Sequence, residues 1–377
     1  MRLLMVTNKV KTYALGFQNI FEPLQKLGHD VVWAADFSGF VTDKSVIPYP
    51  VEQISIHTNP FHSGNLTAYK QLLTLIDKYK IEGILCSTPI GGALARLSAK
   101  KRKIVPVVYA AHGFLFFKGA PLINRTVYKW EEAYLSHFTD YLITITEEDY
   151  NAAKSLKLRN GDNGDHKYLV HGAGVNVGVQ VDIDKVAKRK SIGVPEDAFV
   201  IVSAGELNKN KNTEVIVRAL KEFKGKNVHY VACGVGPEEA KLKELAARLE
   251  VTSQFHLLGY RTDMSEIMAA SDAFCMMSFR EGMPRALLEA MDLGLPCVGS
   301  DTRGIRDLID VDKGGFICGS SNPEAFAEAF AKQMNNPELR TKMGQYNRQK
   351  VKGYSSEVVK QELFEIYREA FGSNGTN

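Results

Sequence analysis

Arg280-Glu281-Gly282-Met283-Pro284-Arg285-Ala286-Leu287-Leu288-Glu289-Ala290-Met291 follows the apolar run Asp272-Ala273-Phe274-Cys275-Met276-Met277. The run reads as a buried strand. Pro284 suits a first helical position, where its missing N–H costs nothing. Gly294 and Pro296 close the helix. The amides of Met283, Arg285 and Ala286 then point out of the helix start beside Glu281, a ready anion site. Glu289 lies a turn further in, on the face of Arg285. One element thus offers a place for a phosphate at its tip and for hydroxyl-rich groups at Glu281 and Glu289. An ordinary i,i+4 ion pair, worth about 0.3–0.5 kcal/mol, with Glu281 as a solvated loop acid, stays open on spacing alone.

Outward from this stretch, strand and helix patterns alternate. Strands are predicted at Leu3–Thr7, Val31–Ala35, Ile81–Ser87, Val105–Ala110 and Tyr141–Thr146, with helices at Phe17–Leu27, Lys70–Tyr79, Ala93–Ala99 and Asn124–Phe138. Further strands are predicted at Phe199–Ser203, Tyr230–Cys233, Phe255–Leu258, Ala273–Met277 and Cys297–Gly299. Near-continuous apolar strands alternating with helices predict parallel sheets covered on both faces. Helical periodicity lapses near Gly172-Ala173-Gly174-Val175-Asn176, so the pattern predicts two doubly wound α/β domains. The expected domains are 1–175 with the amphipathic helix 355–371, and 176–354; Gly372–Asn377 reads as a frayed tail. Ligands of such sheets bind beyond the carboxyl ends of the strands, so two facing sheets predict a cleft.

The chain has 377 residues, 45% hydrophobic and 24% charged, with a net charge of +4. That suits two domains with cores of their own. Met1–Val6 is too short for a signal h-region, and no apolar run approaches the ~20 residues that span a bilayer. Cys86, Cys233, Cys275, Cys297 and Cys318 lack C-x2-C pairing, and most sit in apolar runs; they read as reduced core residues of a cytoplasmic protein. Lys100-Lys101-Arg102-Lys103 reads either as a solvated helix end or as a contact with anionic lipid; without a recognition motif, nucleic acid is not expected. The acidic doublets Asp182/Asp184 and Asp310/Asp312 follow no strand beside a Gly-rich pocket, so no metal site is expected.

Other stretches follow strands. Gly205-Glu206-Leu207-Asn208-Lys209-Asn210-Lys211 combines a small residue with positive charge. Gly234-Val235-Gly236-Pro237 is a tight turn before a helix, half a dinucleotide fingerprint. Leu258-Gly259-Tyr260-Arg261 and Asp301-Thr302-Arg303-Gly304-Ile305-Arg306-Asp307 close two further strands. His112, before Gly113, sits at a strand's carboxyl end. Each also reads as a structural turn or a solvated loop.

Together these segments resemble family 4 glycosyltransferases, over almost the whole chain. The resemblance implies the GT-B fold, a final helix that crosses back to the first domain, and retaining transfer from a nucleotide sugar. The E-x7-E motif falls on Glu281, which would contact sugar hydroxyls, and Glu289, which would bind the ribose. Gly282, Met283, Pro284 and Arg285 complete that donor site. The family's G-R-L-x-x-x-K element places Gly205, Asn208 and Lys211 at the diphosphate. Its Arg is replaced by Glu206, and Arg303 is expected to supply the missing guanidinium. Gly234 and Gly236 would line the nucleotide pocket, with Tyr260 and Arg261 at the base. His112 would hold the sugar or assist the leaving phosphate, and the site would close about a hinge at 172–180.

The stretches Ser87–Gly92, His112–Leu122 and Ile143–Tyr150 look like a capsular and exopolysaccharide-assembling subset. This implies a UDP-linked hexosyl or N-acetylhexosaminyl donor, with neither cofactor nor required metal. It also implies a lipid-diphosphate-linked saccharide acceptor at the inner membrane face, with Phe114, Phe116 and Phe117 open as lipid contacts or core. A UDP-sugar 2-epimerase of the same fold, a nicotinamide-dependent oxidoreductase and a catalytically silent assembly subunit remain alternatives.

Overall fold

The computed structural model describes residues 1–41, 43–159 and 166–372. Beyond Gly372, the tail read as frayed lies outside the described residues. The chain forms two compact units, Met1–Gly174 with the segment from Ser356 on, and Val175–Ser355.

The first unit is built on seven strands: β1 (Arg2–Lys9), β2 (Asp30–Asp36), β3 (Val51–Gln53), β4 (Gly83–Ser87), β5 (Val107–Ala111), β6 (Tyr141–Thr144) and β7 (Lys167–Leu169). All pair in parallel, in the order β3-β2-β1-β4-β5-β6-β7. Every residue of β4 and β6 is buried, as a sheet clad on both faces requires. Successive side chains alternate between faces. Leu4, Val6 and Ile84 pack with Leu72, Leu75 and Ala95 of the helices Gly64–Tyr79 and Pro89–Arg102. Leu3, Met5 and Trp33 pack on the other face with Phe21 and Leu24 of Leu15–Lys26, and with Val359, Leu363 and Tyr367 of the final helix Ser356–Phe371.

The second unit has six parallel strands, β8 (Phe199–Ala204), β9 (Val228–Cys233), β10 (Phe255–Leu257), β11 (Ala273–Met276), β12 (Cys297–Ser300) and β13 (Gly315–Cys318), in the order β10-β9-β8-β11-β12-β13. Ile201, Tyr230 and Cys275 face one core; Val200, Val202, Val231 and Phe274 face the other. All five cysteines are buried thiols. The strand order reverses at β8/β11. The loops leaving these neighbours depart to opposite sides and open a crevice at their carboxyl ends.

Several expectations are corrected. Strands β3, β7 and β13 were not predicted. They are three or four residues long and end their sheets, too short for a periodic signal. Pro106 has no N–H for a ladder, so β5 starts at Val107 rather than Val105. The expected helix Asn124–Phe138 contains a π turn, Asn124–Tyr128, before its α-helical part Lys129–Ser136. Pro284 is the N-cap rather than the first helical residue: its ψ of 110° is extended, and its carbonyl accepts from Leu287 N (3.2 Å) and Leu288 N (3.3 Å).

On the β9/β10 edge, His229 Nδ1 and His256 Nε2 lie 2.9 Å apart. Desolvation, then the His229 charge, pushes the His256 pKa from 6.5 down to about 4. The fold therefore favours the neutral ring. Its contribution is complete above the unfolded value near 6.5 and is lost as pH falls from there toward 4, by at most about 1.4 kcal/mol per pH unit. Urea midpoints measured at pH 7 and pH 5 should drop for the native protein, and the drop should shrink in His256→Gln. An unchanged drop would assign the acid sensitivity elsewhere.

Candidate functional site

The site is assembled by the loops that follow β8, β9, β11 and β12. After β8 the chain turns at Asn208, whose side chain accepts from Lys211 N at 3.0 Å and fixes the turn that presents Lys211. Gly234, after β9, packs so closely that a Cβ would stand 1.9 Å from Gly205 O. Leu207 N donates to Val235 O, and Gly234 N to Gly259 O. The turns at Gly205, Gly234–Gly236 and Gly259 thus form one interlocked rim.

The loops after β8 and β11 are stitched together directly. Phe279 N donates to Asn210 O (2.8 Å), Asn210 Nδ2 to Arg280 O (3.0 Å) and Asn212 Nδ2 to Met277 O (3.2 Å). Across this seam Lys211 Nζ meets Glu281 Oε1 at 2.7 Å, with the Glu281 side chain only 13% exposed. From β12, Arg303 Nε donates to Glu281 O at 3.2 Å. Arg303 is 5% exposed, which corrects the alternative of a solvated loop residue. Gly304 has φ +73°, and a Cβ there would stand 1.5 Å from Gly282 O, so the β12 loop sits flush on the Glu281 loop.

The helix Arg285–Asp292 starts at this point. The amides of Arg285 and Ala286 occupy its first turn, where no intrahelical acceptor exists. Arg285 Nη2 lies 3.6 Å from Glu289 Oε1 on a half-exposed face. Burial raises the Glu289 pKa against the opposing pull of Arg285. Glu206 is exposed. Tyr260 is 78% exposed, whereas Arg261 is committed to Asp263 through two contacts of 2.8 and 2.6 Å. Asp263 is also held by Lys188.

In the first unit, His112 follows β5 directly and is exposed. Phe114 and Phe116 are buried and stacked, their centroids 4.7 Å apart; they belong to the core, not to a lipid surface. The basic quartet is also partly committed. Lys100 Nζ donates to Tyr134 Oη at 2.9 Å, and Arg102 pairs with Asp77 at 2.6 Å. Of the acidic doublets, Asp184 caps the helix Lys185–Ser191 and Asp310 binds Lys350. An adjoining cavity of about 380 Å³, lined by Asn208, Asn212, Thr213, Glu214 and Phe279 among others, includes neither Lys211 nor Glu281. Two of its cations, Arg218 and Lys241, both pair with Glu214.

Asn210 and Asn212 were missed as site builders. The alternation Asn208-Lys209-Asn210-Lys211-Asn212 was the available signal, because short amides bond readily to neighbouring backbone in loops.

Residues 184–350 match the family described as glycosyl transferases group 1, and residues 17–162 match glycosyltransferase family 4. The putative glycosyltransferase EpsD of Bacillus subtilis is 34% identical over 92% of this chain and 91% of its own. The Escherichia coli enzyme named UDP-Gal:alpha-D-GlcNAc-diphosphoundecaprenol alpha-1,3-galactosyltransferase is 28% identical over 83% of this chain and 82% of its own. The chain belongs to the family 4 glycosyltransferases and is a glycosyltransferase. Its fold is GT-B: HepE of Anabaena, solved with UDP and glucose, superposes with a TM-score of 0.77 at 18% identity, over 98% of this chain and 100% of the other.

Two outcomes follow from the seam. Lys211→Ala and Glu281→Gln should each lower kcat/KM by about 10- to 100-fold, the size of a charged hydrogen bond. The double variant should lose less than the product of the two, because the pair is in contact. Additive losses would mean that the two side chains act separately. Gly304→Ala should lower both urea stability and activity, through positive φ and the clash with Gly282. A wild-type melting curve with wild-type kcat/KM would refute the flush packing.

Proposed function

We propose that this enzyme transfers a hexosyl or N-acetylhexosaminyl unit from a UDP-sugar to a lipid-diphosphate-linked or growing polysaccharide acceptor, with retention at the anomeric carbon and without a metal. The observation that carries the reading is the Lys211–Glu281 contact at the β8/β11 switch point, beside a helix start. A cation and free amides there suit a departing diphosphate, where negative charge develops in the transition state. Glu281, held by Lys211 and through its carbonyl by Arg303, suits the orientation of sugar hydroxyls. Glu289, one turn into the helix, suits a ribose. Exposed Tyr260 offers a face for the uracil, while Arg261 shapes the turn through Asp263.

In this reading His112 serves the sugar or the leaving phosphate. Gly205, Gly234 and Gly236 give the nucleotide close access to backbone, and Arg303 acts on the diphosphate by holding the Glu281 loop. The lipid-linked acceptor is supported by the E. coli relative, whose name specifies a GlcNAc-diphosphoundecaprenol acceptor. This reading has the enzyme work at the inner membrane face; none of the described helices is long and apolar enough to cross a membrane.

Thermal-shift titration with UDP, GDP, ADP and NAD, in EDTA, tests the donor. UDP alone should raise the melting point, by about 2.7 kcal/mol of stability at 100 times Kd. A response to GDP or ADP instead would reassign the nucleotide. Transfer from a UDP-sugar panel to a diphospholipid-linked sugar should yield an α-linked product by NMR. A β-linked product would overturn retention, and loss of transfer in EDTA would overturn metal independence.

A further inference from the structure

Five of the sixteen exposed large hydrophobic residues among the described residues fall within thirteen positions: Leu122, Ile123, Val127, Trp130 and Tyr134. Trp130 is 80% exposed and Leu122 75%. Leu122 and Ile123 lead directly into, and Val127, Trp130 and Tyr134 ride on, the helical segment made of the π turn Asn124–Tyr128 and the helix Lys129–Ser136. Scattered exposed apolar residues are ordinary, whereas a ridge of them marks an interaction surface.

The back of this segment is anchored to the first unit by a buried ion pair. Arg96 Nη1 meets Glu132 Oε2 at 2.8 Å, and Tyr109 Oη reaches Glu132 Oε1 at 3.2 Å. The segment's other acid, Glu131, is half-buried, and burial raises its pKa. Both acids are therefore withdrawn from the outer face, while Arg125 and Lys129 remain exposed on it.

Lys100, which donates to Tyr134 Oη, joins this ridge to a groove of about 620 Å³. Leu66, Tyr69, Leu94 and Leu97 line the groove, with Lys101 also on it. Apolar side chains, an interfacial Trp and Tyr, and cations with the acids turned inward are complementary to the headgroup boundary of an anionic bilayer.

We infer that the ridge Leu122–Tyr134, with the adjoining Lys100/Lys101 groove, is the surface by which this glycosyltransferase sits on an anionic membrane. The inference deepens the lipid-linked acceptor reading and rests on it for its purpose. It also relocates the expected membrane contact, from the lysine quartet alone to an apolar ridge that those lysines flank.

Co-sedimentation of the full chain with phosphatidylcholine vesicles, with and without phosphatidylglycerol, tests the surface. Binding should require the anionic lipid and weaken with salt. It should fall by about tenfold or more in Ile123→Asp/Trp130→Asp, the scale of losing buried apolar area from the interface. A retained UDP thermal shift in that variant verifies its fold. Transfer to a short-chain, water-soluble acceptor should be unchanged in the variant, while transfer to the same saccharide on a vesicle-embedded lipid should fall. Equal vesicle binding by both proteins, or no preference for the anionic lipid, overturns the surface. A native dimer that Trp130→Asp splits, with no vesicle binding, would assign the ridge to a second copy of the chain. If the native protein binds vesicles through the ridge yet transfers to neither acceptor, the acceptor reading fails and the surface stands.

Discussion

The candidate site depends on the reversal of strand order at β8/β11. Because β8 lies between β9 and β11, the chain leaves the two central strands toward opposite sides of the sheet, and their carboxyl ends stay uncovered. Loops from three strands are bonded together beside that gap. Asn210 and Asn212 tie the β8 loop to the β11 loop. Arg303 and Gly304 hold the β11 loop from the β12 side. Lys211 and Glu281 face each other across the seam. A 2.7 Å ion pair between two loops would be weak if both ends were free in water. Here Glu281 is mostly buried and both backbones are fixed by other bonds, so little conformational entropy remains to be lost on pairing.

The same arrangement explains why the glycines matter at only a few points. Gly234 and Gly304 are places where two backbones touch, and a Cβ would enter the neighbouring carbonyl. Their effect is to bring whole loops within hydrogen-bond distance. The charged groups then need little adjustment of their own to converge, the kind of fixed polar environment that stabilises developing charge.

Much of this was legible in the sequence, for a physical reason. Long apolar strands with both faces buried leave continuous hydrophobic runs, so β4, β8, β9 and β11 are plain in the residues. The helix after β11 announces itself through Pro284, Gly294 and the periodicity of Leu287, Leu288 and Met291. The rest was hidden because it depends on contacts between distant segments. Nothing local marks Asn210 as a bond to Arg280, seventy residues on. The three-residue strand Lys167–Leu169 exists only because β6 offers it a ladder. The run of Phe114 and Phe116 is ambiguous as sequence, since an apolar cluster after a strand suits either core or surface; packing resolved it toward the core. The ridge at Leu122–Tyr134 is the converse case. Its apolar residues mimic the core face of a helix, and only the structure reveals that Glu132, on Arg96, is buried beside Leu135 while they stay exposed.

Glu206 and Arg303 together raise the question of how a diphosphate is neutralised when the usual Arg of the β8 loop is an acid. Glu206 is exposed, so water screens its charge and its cost to a nearby anion is small. Arg303 comes from β12, not from β8, and its Nε is engaged with the Glu281 carbonyl. Its guanidinium is therefore anchored at the Glu281 loop. Lys211 differs, because its partner Glu281 is itself an expected sugar ligand. In the proposed reading, a donor that draws Glu281 toward a hydroxyl would loosen Lys211 for phosphate, and a phosphate that draws Lys211 would free Glu281 for the sugar. The two halves of a nucleotide sugar would then be recognised jointly by one ion pair, which would couple sugar identity to phosphate binding. In that reading the coupling gives the loss of the β8-loop Arg a physical counterpart: a cation, Lys211, whose availability depends on the correct sugar being present.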